Sequence, residues 1–410
     1  MYNVVDSIFI GNYDADGLTA TSLAYPLQML LIAFAVGTAV GVNSFVSRKL
    51  GEKNFVQAND GATHGLVTCV FNYVIFLLLG LFAVRPFMAM YTQNEAILNY
   101  GIQYLTVVLC FSFFSIVQIM VEKTLQATGN MIAPMWFQIA GVVFNFVFDP
   151  LLIFGIGPFP KMGVVGAAVA TVLGYVVSTI IALIQLFLTK QKVKPVFKNC
   201  LEPQMIKLIF SYGLPSFVMN ALGAFTVNFA NMFLVRYSDT AVAFFGAYFK
   251  VQQLIFMTVN GLIQGCLPIM RFNYRAKEYG RLKQANKSGT IIATVMMIVG
   301  MLLVLIFPKE ILFLFSASEE MCAFGVPAMR IMSLGFVFSG FSAMIATYEQ
   351  ATDSIMPGVV VQLLRQGVLL VPVIWLLNSA VQMTGIWLAF PITEFVTFLV
   401  AVVFAKIKNH

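Results

Sequence analysis

The chain has 410 residues, 60% of them hydrophobic and 10% charged, with a mean hydropathy of +0.89. So few charges cannot coat a soluble domain, and apolar runs of about 20 residues suit a hydrocarbon core of about 30 Å, so the fold class is all-α and polytopic in a membrane. The net charge of +7 does not mark a nucleic-acid binder, because the basic residues sit in loops on one side.

Residues 1–11 are apolar, contain Asp6 and are too short to span. Spans follow near 18–46, 61–84, 97–121, 134–155 and 164–188, then a basic segment from Lys190 to Lys207. The second half gives spans near 208–236, 243–270, 289–307, 326–348, 358–378 and 384–405, for eleven full spans and a stub. The alternating segments of about 10 residues that a membrane β-barrel needs are absent. The first residues lack the basic stretch of a cleavable signal peptide. Five Cys without CxxC spacing predict neither a disulfide framework nor a zinc site, and His64 and His410 are too few for a histidine-built metal centre.

Seventeen Lys and Arg fall in the loops on one side, among them Arg48, Lys49, Lys123, Lys190, Lys198, Arg271 and Lys406. Four, Arg85, Lys161, Arg236 and Lys309, fall on the other, which predicts that the first side and the C-terminus are cytoplasmic.

The halves repeat. Asn3 pairs with Asn228, Asp14 with Asp239 and Gln28 with Gln253 at an offset of 225, and Gln126-Ala127-Thr128 recurs as Gln350-Ala351-Thr352 at 224. Six spans per repeat is even, so both halves insert with the same orientation, as in transporters whose halves share an axis along the membrane normal. The expected organisation is a first lobe over 1–188, a cytoplasmic linker over 189–207 and a second lobe over 208–410. The offset also predicts that about 17 residues of the first helix precede Met1, so that helix is expected to be truncated here.

Superposing the halves separates polar groups that belong to function from those that belong to the repeat. Asn145 falls on Leu369, Asp149 on Val373, Asp6 on Asn231 and Thr171 on Phe390. Asn145 and Asp149 share a helix face four residues apart, and Pro150 leaves the carbonyl of Phe146 without its usual donor. A carboxylate at mid-membrane costs roughly 2.5–3.5 kcal/mol, so it is kept mainly where it binds an ion, proton or substrate. If their helices meet, Asp6, Asn145, Asp149 and Thr171 offer hard oxygen ligands suited to Na⁺ or to a shared proton. The blander readings are an Asp149 that caps a helix or is satisfied by a neighbour, an Asp6 in water at a chain end, and a Thr171 that only packs helices.

The second half has its own ionisable groups. Arg365 and Glu394 are placed to pair, Lys250 to snorkel, and Glu122, Glu349 and Asp353 to act as loop charges or gate residues at cytoplasmic helix ends. Gly37 and Gly41 form a GxxxG suited to close helix packing. Gly155-Ile156-Gly157-Pro158 is a loop breaker without the Walker lysine of a phosphate cradle, and no nucleophile–base pair or metal motif predicts an enzyme.

The runs Asn3-Val-Val-Asp6-Ser-Ile-Phe-Ile-Gly11, Ser47 to Asn54, Leu125 to Asn130, Asn145 to Pro150, Gly166 to Thr171 and Tyr212 to Pro215 resemble the MATE (multidrug and toxic compound extrusion) family over nearly the whole chain. The resemblance implies twelve helices in two six-helix lobes around a central cavity, and export of amphipathic, often cationic organic compounds by alternating access in exchange for Na⁺ or H⁺. It maps the family's cation-site residues onto Asp6, Asn145, Asp149 and Thr171. Some members carry a glutamate where this chain has Gly223. No cofactor beyond the coupling ion is implied, and the expected state is a monomer in the cell membrane. Two rival expectations are a lipid-linked precursor flippase, for which only Lys250, Arg330 and Arg365 offer a cationic headgroup site, and a transporter left inactive by its shortened first helix.

Overall fold

The computed structural model describes residues 2–189, 191–196, 202–275, 277–352 and 360–408. Met1, Lys190, Lys198, Asp353 and His410, named above, lie outside the described residues. Every regular element among the described residues is helical. Nine of these helices are long and apolar enough to cross a membrane, or ten if the pair bent by 49° between Cys110 and Phe113 is one span.

The chain divides into two compact units, Met1–Ala224 and Phe225–His410. The first begins with α1 (Tyr2–Tyr13) and α2 (Ala15–Gly51). Asp14 separates them by capping α2, its carboxylate accepting from the Asp16 amide at 2.9 Å. α3 (Phe55–Leu78) starts at Asn54, which accepts from the Gln57 amide at 3.1 Å, and runs through a π-helical turn at Leu79–Ala83 into α4 (Val84–Ala89). α5 (Glu95–Cys110) and α6 (Phe113–Ala127) share the span expected over 97–121, with a bend of 49° at Phe111 and Ser112. α7 (Ile132–Phe154) and α8 (Val164–Leu188) follow, and α9 (Pro203–Leu234) begins in this unit.

Small residues and hydroxyls set the helix spacing. A Cβ on Gly166 would lie 2.6 Å from the Leu152 carbonyl oxygen, so α8 runs backbone-close along α7. Ser178 donates to the Phe137 carbonyl and Thr179 to that of Phe114, both at 2.7 Å, tying α8 to α7 and α6. Gly37 and Gly41 of α2 meet α9 as the GxxxG predicts: a Cβ on Gly41 would lie 2.1 Å from the Ile209 carbonyl oxygen. The segment before α9 is strapped to α3, because Asn59 accepts from the Lys194 amide at 2.9 Å, Thr63 from that of Val196 at 2.8 Å and His64 Nε2 from that of Glu202 at 3.0 Å.

The second unit contains α10 (Asp239–Arg275), α11 (Tyr279–Ile306), α12 (Pro308–Phe313), α13 (Glu319–Ser333), α14 (Phe336–Ala351), a π-helical turn at Leu364–Val368, and α15 (Leu370–Lys408). α15 holds the end of the span expected over 358–378 and all of the last one: its backbone breaks at Val381 and Gln382, the latter at φ 54, where the sequence places the turn between them. Phe244 and Phe245 of α10 pack on Trp387 of α15, and Phe245 also on Phe390. Burial corrects the expectation for Lys250 and narrows that for Glu122 and Glu349 to gate residues. Lys250 is only 2% exposed, so it does not snorkel, and Glu122 and Glu349 are buried within α6 and α14 and are not loop charges.

Candidate functional site

Asp6 on α1, Asn145 and Asp149 on α7 and Thr171 on α8 converge in the first unit, all buried. Packing of α1 against α7 and α8 brings Asp6 to the polar face of α7, away from the water that a chain end suggests. Thr171 Oγ1 donates toward both Asp6 oxygens, at 2.9 and 2.7 Å. The Asn145 amide points at Asp6 Oδ1 at 3.2 Å, Asp149 Oδ1 at 3.0 Å and Thr171 Oγ1 at 3.2 Å. Asp149 is therefore no helix cap.

Two further residues belong to this cluster. Tyr104 on α5 donates to Asp6 Oδ2 at 2.8 Å, and Gln28 on α2 hydrogen-bonds Tyr104. Sequence reasoning used Gln28 only as a repeat marker and passed over Tyr104. The repeat carries a signal for it, since Tyr104 falls on Met329 at the offset of 225.

Counting donors shows what the site lacks. The Asn145 amide has two hydrogens for three acceptors, and the Thr171 hydroxyl has one hydrogen for the two Asp6 oxygens it faces. Asn145 Oδ1 and Asp149 Oδ2 are buried with no hydrogen-bond partner. The one Asn145 amide reaches an oxygen of both Asp6 and Asp149, so the two carboxylates stand close together, where double ionisation is disfavoured without a proton or a cation between them. The cluster is thus rich in oxygens and short of positive charge. These residues fit a small hard cation or a proton as cargo, and among them only hard oxygen atoms are left to ligate it.

The other charged groups are differently placed. Arg365 Nε donates to Glu394 Oε1 at 3.0 Å, so this pair forms, and its guanidinium lies 4.6 Å from the ring centre of Phe256. Glu122 accepts from Gln138, from Gln126 at 2.9 Å and from Lys123 at 3.1 Å, tying α6 to α7. Of the three cations that a pyrophosphate headgroup would need, Arg330 is exposed, Arg365 is paired and Lys250 is buried with an interaction of its own.

A family model described as MatE matches residues 1–151 and 215–376. The multidrug export protein MepA of Staphylococcus haemolyticus (strain JCSC1435) is 25% identical, over 100% of this chain and 90% of its own length. MepA of Staphylococcus saprophyticus is 26% identical, over 98% of this chain and 88% of its own. Among solved structures, the MATE multidrug transporter DinF-BH, in complex with a small molecule, superposes with a TM-score of 0.84 at 28% identity, covering 99% of this chain and 91% of that one. An inward-facing multidrug resistance MATE family transporter of the MOP superfamily gives 0.89 at 22% identity, covering 99% and 93%.

Proposed function

The chain belongs to the MatE family, whose members are transporters and not enzymes, and from that premise we propose that it is a membrane antiporter that exports amphipathic and cationic organic compounds in exchange for Na⁺ or H⁺. The observation that carries this reading is the buried Asp6–Asn145–Asp149–Thr171 cluster with two oxygens left without partners. The relatives named as multidrug exporters and the small-molecule complex of DinF-BH support the class of cargo.

In this mechanism the coupling ion supplies the positive charge the cluster lacks. Its arrival satisfies Asn145 Oδ1 and Asp149 Oδ2 and draws α1 and α7 together, and its departure leaves the two carboxylates to repel. The cluster thereby favours one packing of the first unit when loaded and another when empty. Coupling arises because ion and cargo bind these packings with different affinity, and a difference of 1–3 kcal/mol gives about 5- to 150-fold. The side rich in Lys and Arg faces the cytoplasm, with the C-terminus, and the protein acts as a monomer.

Replacement Asp149→Asn tests the reading in cells loaded with a fluorescent organic cation. The expected result is efflux reduced at least tenfold and no longer responsive to the ion gradient. Efflux at the normal rate with the normal ion dependence would refute the proposed coupling.

A further inference from the structure

The Arg365–Glu394 pair is not built as a brace. A brace between helices gains most from two parallel guanidinium–carboxylate bonds that satisfy both oxygens. Here Arg365 makes one bond, through Nε, and Glu394 Oε2 is buried with no partner. The hydroxyls of Tyr248, Thr393 and Thr397 are also buried and unpartnered. Tyr248 lies within electrostatic reach of Glu394, and the two threonines flank Glu394 along α15. A half-satisfied polar network in low dielectric is costly unless something completes it.

The shape of the place says what completes it. The Arg365 guanidinium, a flat delocalised cation, lies over the face of Phe256 and against the carboxylate of Glu394. An aromatic face and a carboxylate together are the elements that recognise organic cations. The pair is 17% and 13% exposed, and a small cavity beside it is lined by Phe256, Asn260, Ser339 and Arg365. Gly335 leaves room for the Glu394 stem, since a Cβ there would come within 3.3 Å of Glu394 Cγ. Arg365 itself stands on the π-helical turn Leu364–Val368, an irregularity that often marks functional positions and that frees its side chain from regular helical register. None of the three residues is repeated in the first half: Phe256 falls on Leu31 at the offset of 225, Arg365 on Gly141 at 224 and Glu394 on Tyr175 at 219.

We propose that Phe256 and Glu394 form a binding box for organic cations in the second unit, and that Arg365 occupies it as a tethered competitor which the cargo displaces. The displaced guanidinium swings out on the π turn, while Glu394 and the Phe256 face pass to the incoming cation. The proposal rests on the export reading only in taking organic cations as cargo.

Equilibrium binding to the purified full chain tests it without any ion gradient, so failure of the box and failure of coupling at Asp6 and Asp149 are separate outcomes. The probe is tetraphenylphosphonium, with triphenylphosphine oxide as a neutral aromatic control. Arg365→Gln removes the competitor and should tighten tetraphenylphosphonium binding about fivefold, whereas Glu394→Gln should weaken it about tenfold, with the neutral compound unaffected by either. Phe256→Leu leaves the ion pair in place, which guards against misfolding of the charge variants, and should weaken binding of the cation alone about threefold. If Arg365→Gln weakens binding or leaves it unchanged, or if Glu394→Gln or Phe256→Leu has no effect on the cation, the box is refuted.

Discussion

At the scale of single residues, the first unit concentrates a shortage of donors at one place. Asp6 takes hydrogen bonds from Thr171, Asn145 and Tyr104, yet Asp149 Oδ2 and Asn145 Oδ1 receive none. Tyr104 steadies Asp6 from a separate helix, α5, so Tyr104→Phe should loosen the carboxylate without removing a ligand. A lost bond to a charged group is worth about 1.5–3 kcal/mol, of which part is recovered by rearrangement. The half-maximal ion concentration for efflux should rise about fivefold with the maximal rate retained, and an unchanged ion dependence would remove Tyr104 from the site. The candidates Asp6, Asn145, Asp149 and Thr171 were legible in the sequence because polar groups in an apolar helix stand out and the second half lacks them, whereas their meeting depends on the packing of α1 against α7 and α8. Tyr104 was not, because a tyrosine is unremarkable among 14 in so aromatic a chain. Only its hydroxyl, aimed at Asp6, distinguishes it.

At the scale of elements, apolar run length located the helices well, since each run must satisfy its own backbone in lipid. Bends were illegible. The junction at Phe111 and Ser112 carries neither Gly nor Pro, and in the π turn at Leu364–Val368 the backbone leaves the helix at Gly367, one glycine among 30. Close approach was legible at Gly37 and Gly41, where the partner is backbone that cannot move aside. Gly41→Leu should therefore lower the thermal unfolding temperature of the purified protein, at a cost of about 1–3 kcal/mol. Gly261, on α10 with nothing within 4 Å of a Cβ, is the control. Gly261→Ala should be neutral or stabilising by up to about 1 kcal/mol from helix propensity. Equal destabilisation by both would show that the spacing of α2 and α9 does not depend on Gly41.

At the scale of the whole molecule, the internal repeat and the charge asymmetry set the organisation and the orientation expected in the membrane. Two compact helical units and the family match agree with a transporter built from two halves of one ancestry. The seventeen-to-four imbalance of basic loop residues predicts a cytoplasmic C-terminus. A fluorescent protein fused after His410 should mature and fluoresce, and alkaline phosphatase fused there should stay inactive; the opposite pattern would invert the topology. The halves differ at both groups, the carboxylate cluster in the first unit and the Phe256–Arg365–Glu394 group in the second. In the proposed mechanism, ion coupling falls to the first unit and recognition of organic cations to the second. The most direct test of the coupling is made in proteoliposomes holding the purified full chain, with an imposed Na⁺ or H⁺ gradient and both ion and organic cation followed. The account predicts that the ion moves down its gradient only while the organic cation moves the opposite way, and that Asp149→Asn abolishes both fluxes. Export at an undiminished rate after the gradients are collapsed, or by the Asp149→Asn protein, would contradict it.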